Sequence, residues 1–345
     1  MREIRALTSL RGLFALFVFL YHAGIYTPAG RPSTPGLDRG YLAVDFFFIL
    51  SGFILGTAYG ERTQTLASYG RFVWVRFGRL FPLHVTIILL VAAAIGIPYF
   101  PSFLQELTLT NNLYQNAPHP QLNEVDWSLS TEWVVNLCFP LLVVLTRPPF
   151  RLITFAVCLL ALFAITAPHT YILDTVVSDP PLLASMVRCF TEFTIGLIVS
   201  RIRPSAFFSK DIVLFLLIIV VGGLFFVPRT DYLIAILLAP FVYGVSSNSG
   251  QVSRILSIAP LTVIGDISFS IYLTHTPIFR VIRHFLYGAP LPAYAVTLIF
   301  TATGLALTLG VSFLSYNFLE VPARNWFKRV ANRWRDPVLT TAAVS

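Results

Sequence analysis

Long runs of apolar residues, separated by short polar loops, occupy most of this chain. Each run is close to the roughly 20 residues that an α-helix needs to cross the hydrocarbon core of a bilayer. The pattern predicts an all-α polytopic membrane protein, a bundle of about ten transmembrane helices. The predicted spans are residues 8–27, 41–60, 83–100, 127–146, 152–167, 182–200, 211–227, 231–246, 261–283 and 294–318.

Lysine and arginine residues are distributed unevenly between the predicted loops. Most lie on the side that holds both chain ends, whereas the opposite loops hold Arg31, Arg39, Arg229, Arg280 and Arg283. Because loops on the cytoplasmic side are enriched in basic residues, both termini are predicted to be cytoplasmic and the chain to cross the plasma membrane several times. We expect one transmembrane domain, residues 1–325, followed by a short basic cytoplasmic tail, residues 326–345.

Composition agrees with a membrane protein and limits the other classes. The 345 residues are 56% hydrophobic and 12% charged. The net charge of +8 follows from the basic loops, so the lipid bilayer and not nucleic acid is the expected partner. Cys138, Cys158 and Cys189 all lie in apolar runs and offer no metal-binding spacing, so no metal is expected.

The first apolar run carries two polar side chains, Arg11 and His22. Eleven residues of α-helix make about three turns, so both lie on one helix face, about 16 Å apart along its axis. Charged and titratable groups inside a membrane are costly and for that reason usually functional. A structural alternative is that Arg11 reaches the headgroups and His22 bonds to a neighbouring helix.

Other spans carry titratable residues at a similar predicted depth. His22, Asp45, Glu132 and His275 come from four different spans and all fall in the outer third of the membrane. Four such groups at one level predict a shared polar cavity that is open to the outside. Arg188 and Glu192 differ, because their spacing of four residues predicts a mutual ion pair with a structural role.

A basic and aromatic stretch precedes the third span. It contains Arg71, Arg76 and Arg79 among aromatic residues. One interpretation is an interfacial helix that is anchored on anionic lipids. The other is a binding site for a polyanionic cofactor, since Arg76 and Arg79 lie one helical turn apart and can converge on phosphates. Arg11, at the inner end of span one, would extend that site into the membrane.

With these residues in view, the chain resembles the acyltransferase-3 family of integral-membrane acyltransferases. The resemblance rests on six pieces in order. They are the Arg11–His22 spacing, GYLAVDFFFILSGF at 40–53, RFGRLFP at 76–82, WSLSTE at 127–132, ISFSIYLTH at 267–275 and YNFLEVP at 316–322. The family often has another basic residue just before the first arginine of RFGRLFP. That position is Val75 here, so Arg71 is expected to contribute instead.

The resemblance implies an enzyme that moves an acyl group, commonly acetyl, from cytoplasmic acyl-coenzyme A to a hydroxyl of a sugar in a surface glycan, glycolipid or related acceptor. Imidazole has an ordinary pKa suited to general base catalysis near neutral pH, so His22 is the expected base. Asp45 or Glu132 is expected to hold its second nitrogen. The expected phosphate-binding residues are Arg11, Arg71, Arg76 and Arg79. The expected acceptor-binding residues are Trp127, Ser128, Tyr272 and His275, and Glu320 is expected to be structural.

Three alternatives remain at this stage. Within the same chemistry, Ser51 or Ser128 could carry a transient acyl group, although serine in an apolar helix more often bonds to a backbone carbonyl. A proton-coupled transporter or flippase also uses buried histidine, carboxylate and arginine groups, but paired Gly/Pro-interrupted spans in matching halves are not evident. A structural membrane scaffold leaves the polar residues at one depth without an explanation.

Overall fold

The computed structural model describes residues 4–30, 36–63, 65–97, 99–113, 121–166, 181–203 and 205–334. These residues form helices and no β-strand, which confirms the all-α class. In chain order the α-helices are α1 Arg5–Tyr26, α2 Ala43–Tyr59, α3 Leu66–Ile95, α4 Phe100–Leu107, α5 Asp126–Leu137, α6 Phe139–Leu145, α7 Pro148–Thr166, α8 Pro181–Ser200, α9 Asp211–Leu224, α10 Asp231–Ser247, α11 Gln251–Leu256, α12 Ala259–Asp266, α13 Ser268–Leu286, α14 Ala293–Ser315 and α15 Val321–Arg333. The predicted loop cation Arg31 and residues 335–345 of the predicted tail lie outside the described residues.

Several helices are long and apolar enough to cross a membrane, so the chain is a multi-pass membrane protein. Five of them pass on length and hydropathy, namely Arg5–Tyr26, Leu37–Tyr59, Leu66–Ile95, Pro148–Thr166 and Ala293–Arg333. The pair α5 and α6, bent by 65°, adds a sixth if it is one broken span. Helices α9 and α10 are apolar but shorter. The total of about ten spans and the cytoplasmic placement of both termini stay predictions.

Two predicted spans have different boundaries in the structure. Helix α3 begins at Leu66, so the basic and aromatic stretch and the third span form one helix. Its start is fixed by a capping box, in which the Thr65 hydroxyl accepts a hydrogen bond from the Ser68 N–H. The predicted span 261–283 is two helices, α12 and α13, because the backbone leaves helical geometry at Ile267. This break turns the side chains of α13 relative to those of α12.

Glycine allows α2 and α8 to approach each other closely. A Cβ atom added to Gly52 would collide with the Phe193 carbonyl, and one added to Gly196 would collide with the Ile49 carbonyl. Small residues at such crossings are typical of helix packing in membranes, where dispersion contacts replace the hydrophobic effect. The close approach brings the buried side chain of Asp45, on α2, against Arg188, on α8.

Helix α1 lies among the helices that carry the functional candidates. It contacts α2, α12, α13 and α14. At its crossing with α12, Cβ atoms at Gly12 and Gly265 would collide with backbone atoms of the other helix. This close crossing allows Arg11 to bond across it: its Nη2 donates to the Gly265 carbonyl at 3.3 Å and to Ser268 Oγ at 3.1 Å.

The last helix, α15, packs against α3. A π-helical turn, Tyr316–Glu320, joins α14 to α15. The Phe327 ring lies 4.7 Å from the Trp74 ring and occupies the space left by Gly78. Asn332 Oδ1 accepts a hydrogen bond of 2.6 Å from Arg71. These contacts hold α15 as an ordered arm beside the basic part of α3.

Candidate functional site

A polar cavity of about 770 Å³ lies between α1, α2, α3, α5, α13 and α15. Three of the predicted phosphate-binding arginines, Arg11, Arg76 and Arg79, line it. Two predicted acceptor-binding residues, Ser128 and Tyr272, line the same cavity. The fold therefore brings together two groups of residues that the sequence placed in separate sites. Within the described chain, no group of three or more His, Cys, Asp or Glu side chains has a metal-binding arrangement.

Carboxylates hold two of the cavity's arginines in place. Arg76 donates to Glu132 Oε1 at 2.6 Å, and the Ser51 hydroxyl donates to the same oxygen at 2.8 Å. Arg79 donates to Glu320 Oε2 at 2.9 Å, and Ser270 bonds to the other oxygen of that carboxylate. Each guanidinium is thus oriented toward the cavity by one charge-assisted hydrogen bond, while other N–H groups of the same fork can still donate.

His22 and His275 form a hydrogen-bonded pair. Nε2 of His275 lies 3.2 Å from Nδ1 of His22. Nδ1 of His275 lies 3.0 Å from the Ile271 carbonyl, and Nδ1 of His22 lies 3.0 Å from the Val18 carbonyl. A carbonyl only accepts, so the proton of each neutral ring is assigned to Nδ1. His275 then accepts from His22 through Nε2, and the Nε2 atom of His22 carries the basic lone pair.

Asp45 and Glu132 are not the groups that orient His22, which corrects the expectation drawn from the sequence. Both oxygens of Asp45 bond to Arg188, at 2.5 and 2.7 Å, and Glu132 bonds to Arg76. The physical reason is charge, since a buried guanidinium requires a carboxylate far more than a neutral imidazole does. His275, expected to bind the acceptor, is the partner of His22 instead.

The predicted pair of Arg188 and Glu192 is also corrected in part. Glu192 lies 3.9 Å from Arg188 Nε, whereas Asp45 forms the short bidentate contact. All three side chains are wholly buried. The Trp127 ring, expected to bind the acceptor, lies 5.7 Å from the Arg188 guanidinium carbon. This buried cluster holds α2, α5 and α8 together.

The shared outward cavity predicted for four titratable groups is therefore not what the structure contains. Asp45 and His275 are fully buried, and Glu132 lies on the cavity beside Arg76. Asp45 and Glu132 pair with Arg188 and Arg76 instead, and the depth of a residue along its span does not say which partner it faces. His22, by contrast, is half-buried, and it contacts His275, which was predicted to lie at a similar depth.

Tyr272 connects the cavity to the histidine pair. Its hydroxyl lies 2.7 Å from Ser128 Oγ, and its ring lies 6.1 Å from the His275 ring, one helical turn along α13. Ser128 and Tyr272 are both buried. Neither histidine is among the described residues that line the cavity, and His275 lies between Tyr272 and His22.

One predicted phosphate-binding residue lies elsewhere, and three cavity cations were missed. Arg71 bonds to Asn332 and is not part of the cavity wall. Arg62, in the loop after α2, lines the cavity. Arg324 and Lys328, both on α15, also line it. Their spacing of four residues, just after Pro322 in an aromatic and basic stretch, was the available signal. The predicted boundary between domain and tail, after residue 325, separates Arg324 from Lys328.

Polar residues connect the segment 121–124 to α1 and α13. Tyr26 donates to Glu124 at 2.5 Å, and Arg280 donates to the same carboxylate at 2.9 Å. Arg280 also donates to the carbonyls of Gln121 and Leu122. One of the basic residues on the predicted outer side therefore lies against the acidic loop at 121–124.

Comparison with known proteins now identifies the family. The family model described as "Acyltransferase domain" matches residues 4–317. The chain belongs to the acyltransferase-3 family. It is therefore a membrane acyltransferase.

Relatives agree with this assignment. "Putative membrane-bound transacylase BcsY" of Komagataeibacter xylinus is 27% identical over 372 residues, covering 98% of this chain and 88% of that protein. A "Putative O-acetyltransferase" of Staphylococcus aureus (strain COL) is 24% identical over 374 residues, covering 97% of this chain and 59% of that protein. "Protein 2 in picA locus" of Rhizobium radiobacter is 33% identical over 156 residues, covering 39% of this chain and 78% of that protein. The chain thus spans little more than half the length of the Staphylococcus relative. No solved structure matches it significantly.

Proposed function

We propose that this acyltransferase moves an acyl group, most simply acetyl, from cytoplasmic acyl-coenzyme A to a hydroxyl of a sugar in a surface glycan or a lipid-linked glycan. The observation that carries the proposal is the cavity, which joins Arg11, Arg76 and Arg79 to Ser128 and Tyr272 beside the histidine pair. Relatives that are named O-acetyltransferase and transacylase support an acyl donor. The proposed location is the plasma membrane, with both termini and the cationic end of the cavity facing the cytoplasm.

In this proposal the arginines hold the phosphates of the donor. Guanidinium groups match phosphate oxygens in geometry and remain charged at all physiological pH values. Arg76 and Arg79 lie on one face of α3, one turn apart, and Arg11 faces the same cavity from α1. The long pantetheine arm of the donor then extends toward Ser128 and Tyr272, with the thioester at its end.

His22 acts as the general base. Its Nε2 lone pair accepts the proton of the acceptor hydroxyl, and the resulting oxygen attacks the thioester carbonyl. The new C–O bond forms as the C–S bond breaks, and the proton passes from His22 to the departing thiolate. During the step His22 is an imidazolium, which the hydrogen bond from its Nδ1 to His275 stabilises.

Transfer is proposed to be direct and not through an acyl-serine. The Ser128 hydroxyl donates to the Val125 carbonyl at 3.1 Å, and the Ser51 hydroxyl donates to Glu132. Ser128 thus makes the local backbone contact that serine usually makes in a helix. Neither serine is hydrogen-bonded to a histidine that the structure describes, the arrangement that activates a serine nucleophile.

The test uses the purified full-length chain in detergent. We expect it to bind acetyl-coenzyme A by calorimetry and to release free coenzyme A slowly with water as the acceptor. Arg76→Ala combined with Arg79→Ala should weaken binding, and salt should weaken it in the wild type. His22→Ala should bind the donor normally but lose turnover by about 100- to 10,000-fold. A wild-type protein that does not bind acetyl-coenzyme A would overturn the proposal.

A further inference from the structure

Some cations that line the cavity have a carboxylate partner, and others have none in the part of the chain that the structure describes. Arg76 and Arg79 each share their charge with a carboxylate, Glu132 and Glu320 respectively. Arg62, Arg324 and Lys328 also line the cavity, and no side chain of the three forms an ion pair or a hydrogen bond with any described residue. Arg324 and Lys328 form a second pair, on the single helix α15. Cations that share a cavity repel one another, and a bound anion removes that cost. The second pair therefore marks a place for an anionic group beyond those that Arg76 and Arg79 can hold.

The two cations are fixed in position by the packing of α15. Arg324 and Lys328 are four residues apart, so they lie on one face of this helix. Phe327 packs into the space above Gly78, and Asn332 bonds to Arg71, both on α3. Arg329, the next residue along, is not part of the cavity wall, and its Nε donates to the Asn325 carbonyl at 3.4 Å. The same helix thus offers one cavity-facing lysine and an adjacent arginine that does not face the cavity.

The cavity has a buried end and an exposed mouth, and these two ends determine which part of a ligand lies beside α15. Ser128 and Tyr272 are buried at the end near the histidines, whereas Lys328 is exposed at the mouth. A thioester at the buried end places the nucleotide of the same molecule at the mouth. The nucleotide of coenzyme A carries a diphosphate and a separate phosphate monoester on its ribose.

These two phosphate groups differ in charge. Each phosphoryl group in a diphosphate diester carries one negative charge, whereas a phosphate monoester carries about −1.5 to −2 at pH 7. The diphosphate, with less charge on each phosphoryl group, matches arginines that also bond to a carboxylate. The phosphate monoester, with more charge, matches two cations without a described carboxylate partner. Building on the proposed function, we infer that Arg324 and Lys328 bind the ribose phosphate of the donor and select coenzyme A over its dephosphorylated form.

The experiment compares coenzyme A with 3′-dephospho-coenzyme A by calorimetry, on the full-length protein in neutral detergent. The wild type should prefer coenzyme A by about tenfold or more, because charge-assisted hydrogen bonds to one phosphate are lost with the other ligand. Lys328→Ala should weaken coenzyme A binding by about tenfold and leave the dephosphorylated ligand unchanged. Arg324→Gln should act in the same direction. Arg329→Ala, the matched control, should change neither.

The outcomes separate this inference from the proposed function. If both ligands bind the wild type equally, or if Lys328→Ala weakens both equally, the inference is wrong while the donor site stands. If neither ligand binds the wild type, the proposed function fails and the inference fails with it. Wild-type binding with unchanged selectivity in Lys328→Ala and in Arg324→Gln also overturns the inference.

A lipid headgroup offers the same chemistry, because a phosphodiester lipid at the interface also presents phosphate to Arg324 and Lys328. The measurement is therefore repeated in nanodiscs of phosphatidylcholine alone and of phosphatidylcholine with phosphatidylglycerol. Preserved selectivity for coenzyme A in both, lost in Lys328→Ala, supports the ribose phosphate. If phosphatidylglycerol abolishes the selectivity of the wild type and Lys328→Ala reduces retention of that lipid, the two cations serve the membrane and the inference is wrong.

Discussion

Arg188 and Asp45 form a bidentate ion pair, 2.5 and 2.7 Å long, between α8 and α2, with both side chains wholly buried. Removing one partner of such a pair leaves an uncompensated buried charge and costs about 3–5 kcal/mol. We therefore expect Asp45→Asn to destabilise the protein strongly, as measured by thermal unfolding in detergent. Glu192→Gln, which changes a carboxylate 3.9 Å from Arg188, should cost much less. Equal losses would show that Glu192 is as important to the buried guanidinium as Asp45.

His275 is expected to act through His22. Replacing it with leucine removes the acceptor for His22 Nδ1, and kcat should fall by about tenfold or more, the value of one hydrogen bond to a charged group. Glutamine at the same position presents an amide oxygen near the place of Nε2, so His275→Gln should recover most of the activity. The measurement is steady-state kinetics with acetyl-coenzyme A, whose KM should be unchanged in both variants. A similar loss in the two variants would indicate a packing role only.

The close crossing of α2 and α8 should not tolerate a methyl group. An alanine at Gly196 would place its Cβ against the Ile49 backbone, which cannot yield as a flexible side chain does. Overpacking of this kind costs about 1–3 kcal/mol, and the shift would also disturb Asp45 and Arg188. Gly222→Ala is the matched control, since nothing lies within 4 Å of its Cβ position. Thermal unfolding of both variants tests the prediction, and an equal response would contradict it.

Stability should depend on pH through Glu106 in α4. Its buried carboxyl accepts hydrogen bonds from the Leu122 and Asn123 N–H groups, and burial raises the pKa of Glu106 above its ordinary value despite them. The folded state therefore binds the Glu106 proton more tightly than the unfolded state, and this contribution is full below an ordinary pKa of about 4.3 and lost as pH rises through the raised value. Glu106→Gln removes it. The unfolding temperature of the variant should rise relative to the wild type as pH increases, and a constant difference would contradict this.

The sequence predicts the fold class and part of the site because those features are local. Apolar run length identifies membrane helices, and helical periodicity places Arg11 and His22 on one face, as well as Arg76 and Arg79. The partner of a buried charge is not local. Asp45 meets Arg188 because glycines bring α2 and α8 together, a relationship that spans 143 residues. Depth along a predicted span brings His22 and His275 to one level, but it does not show that Asp45 and Glu132 pair with arginines.

The continuous course of α14, the π-helical turn and α15 has a consequence for the length of the donor. The 41 residues from Ala293 to Arg333 extend for about 60 Å, twice the thickness of a bilayer core of about 30 Å. Ser312 and Ser315 attach the membrane part of this rod to α13, the helix of His275, and Lys328 lies on its far arm. One continuous run of helix thus connects α13, which carries His275, to the mouth of the cavity. We expect this helix to fix the distance that a donor must span, so that changes in the surface loops leave that distance unaltered.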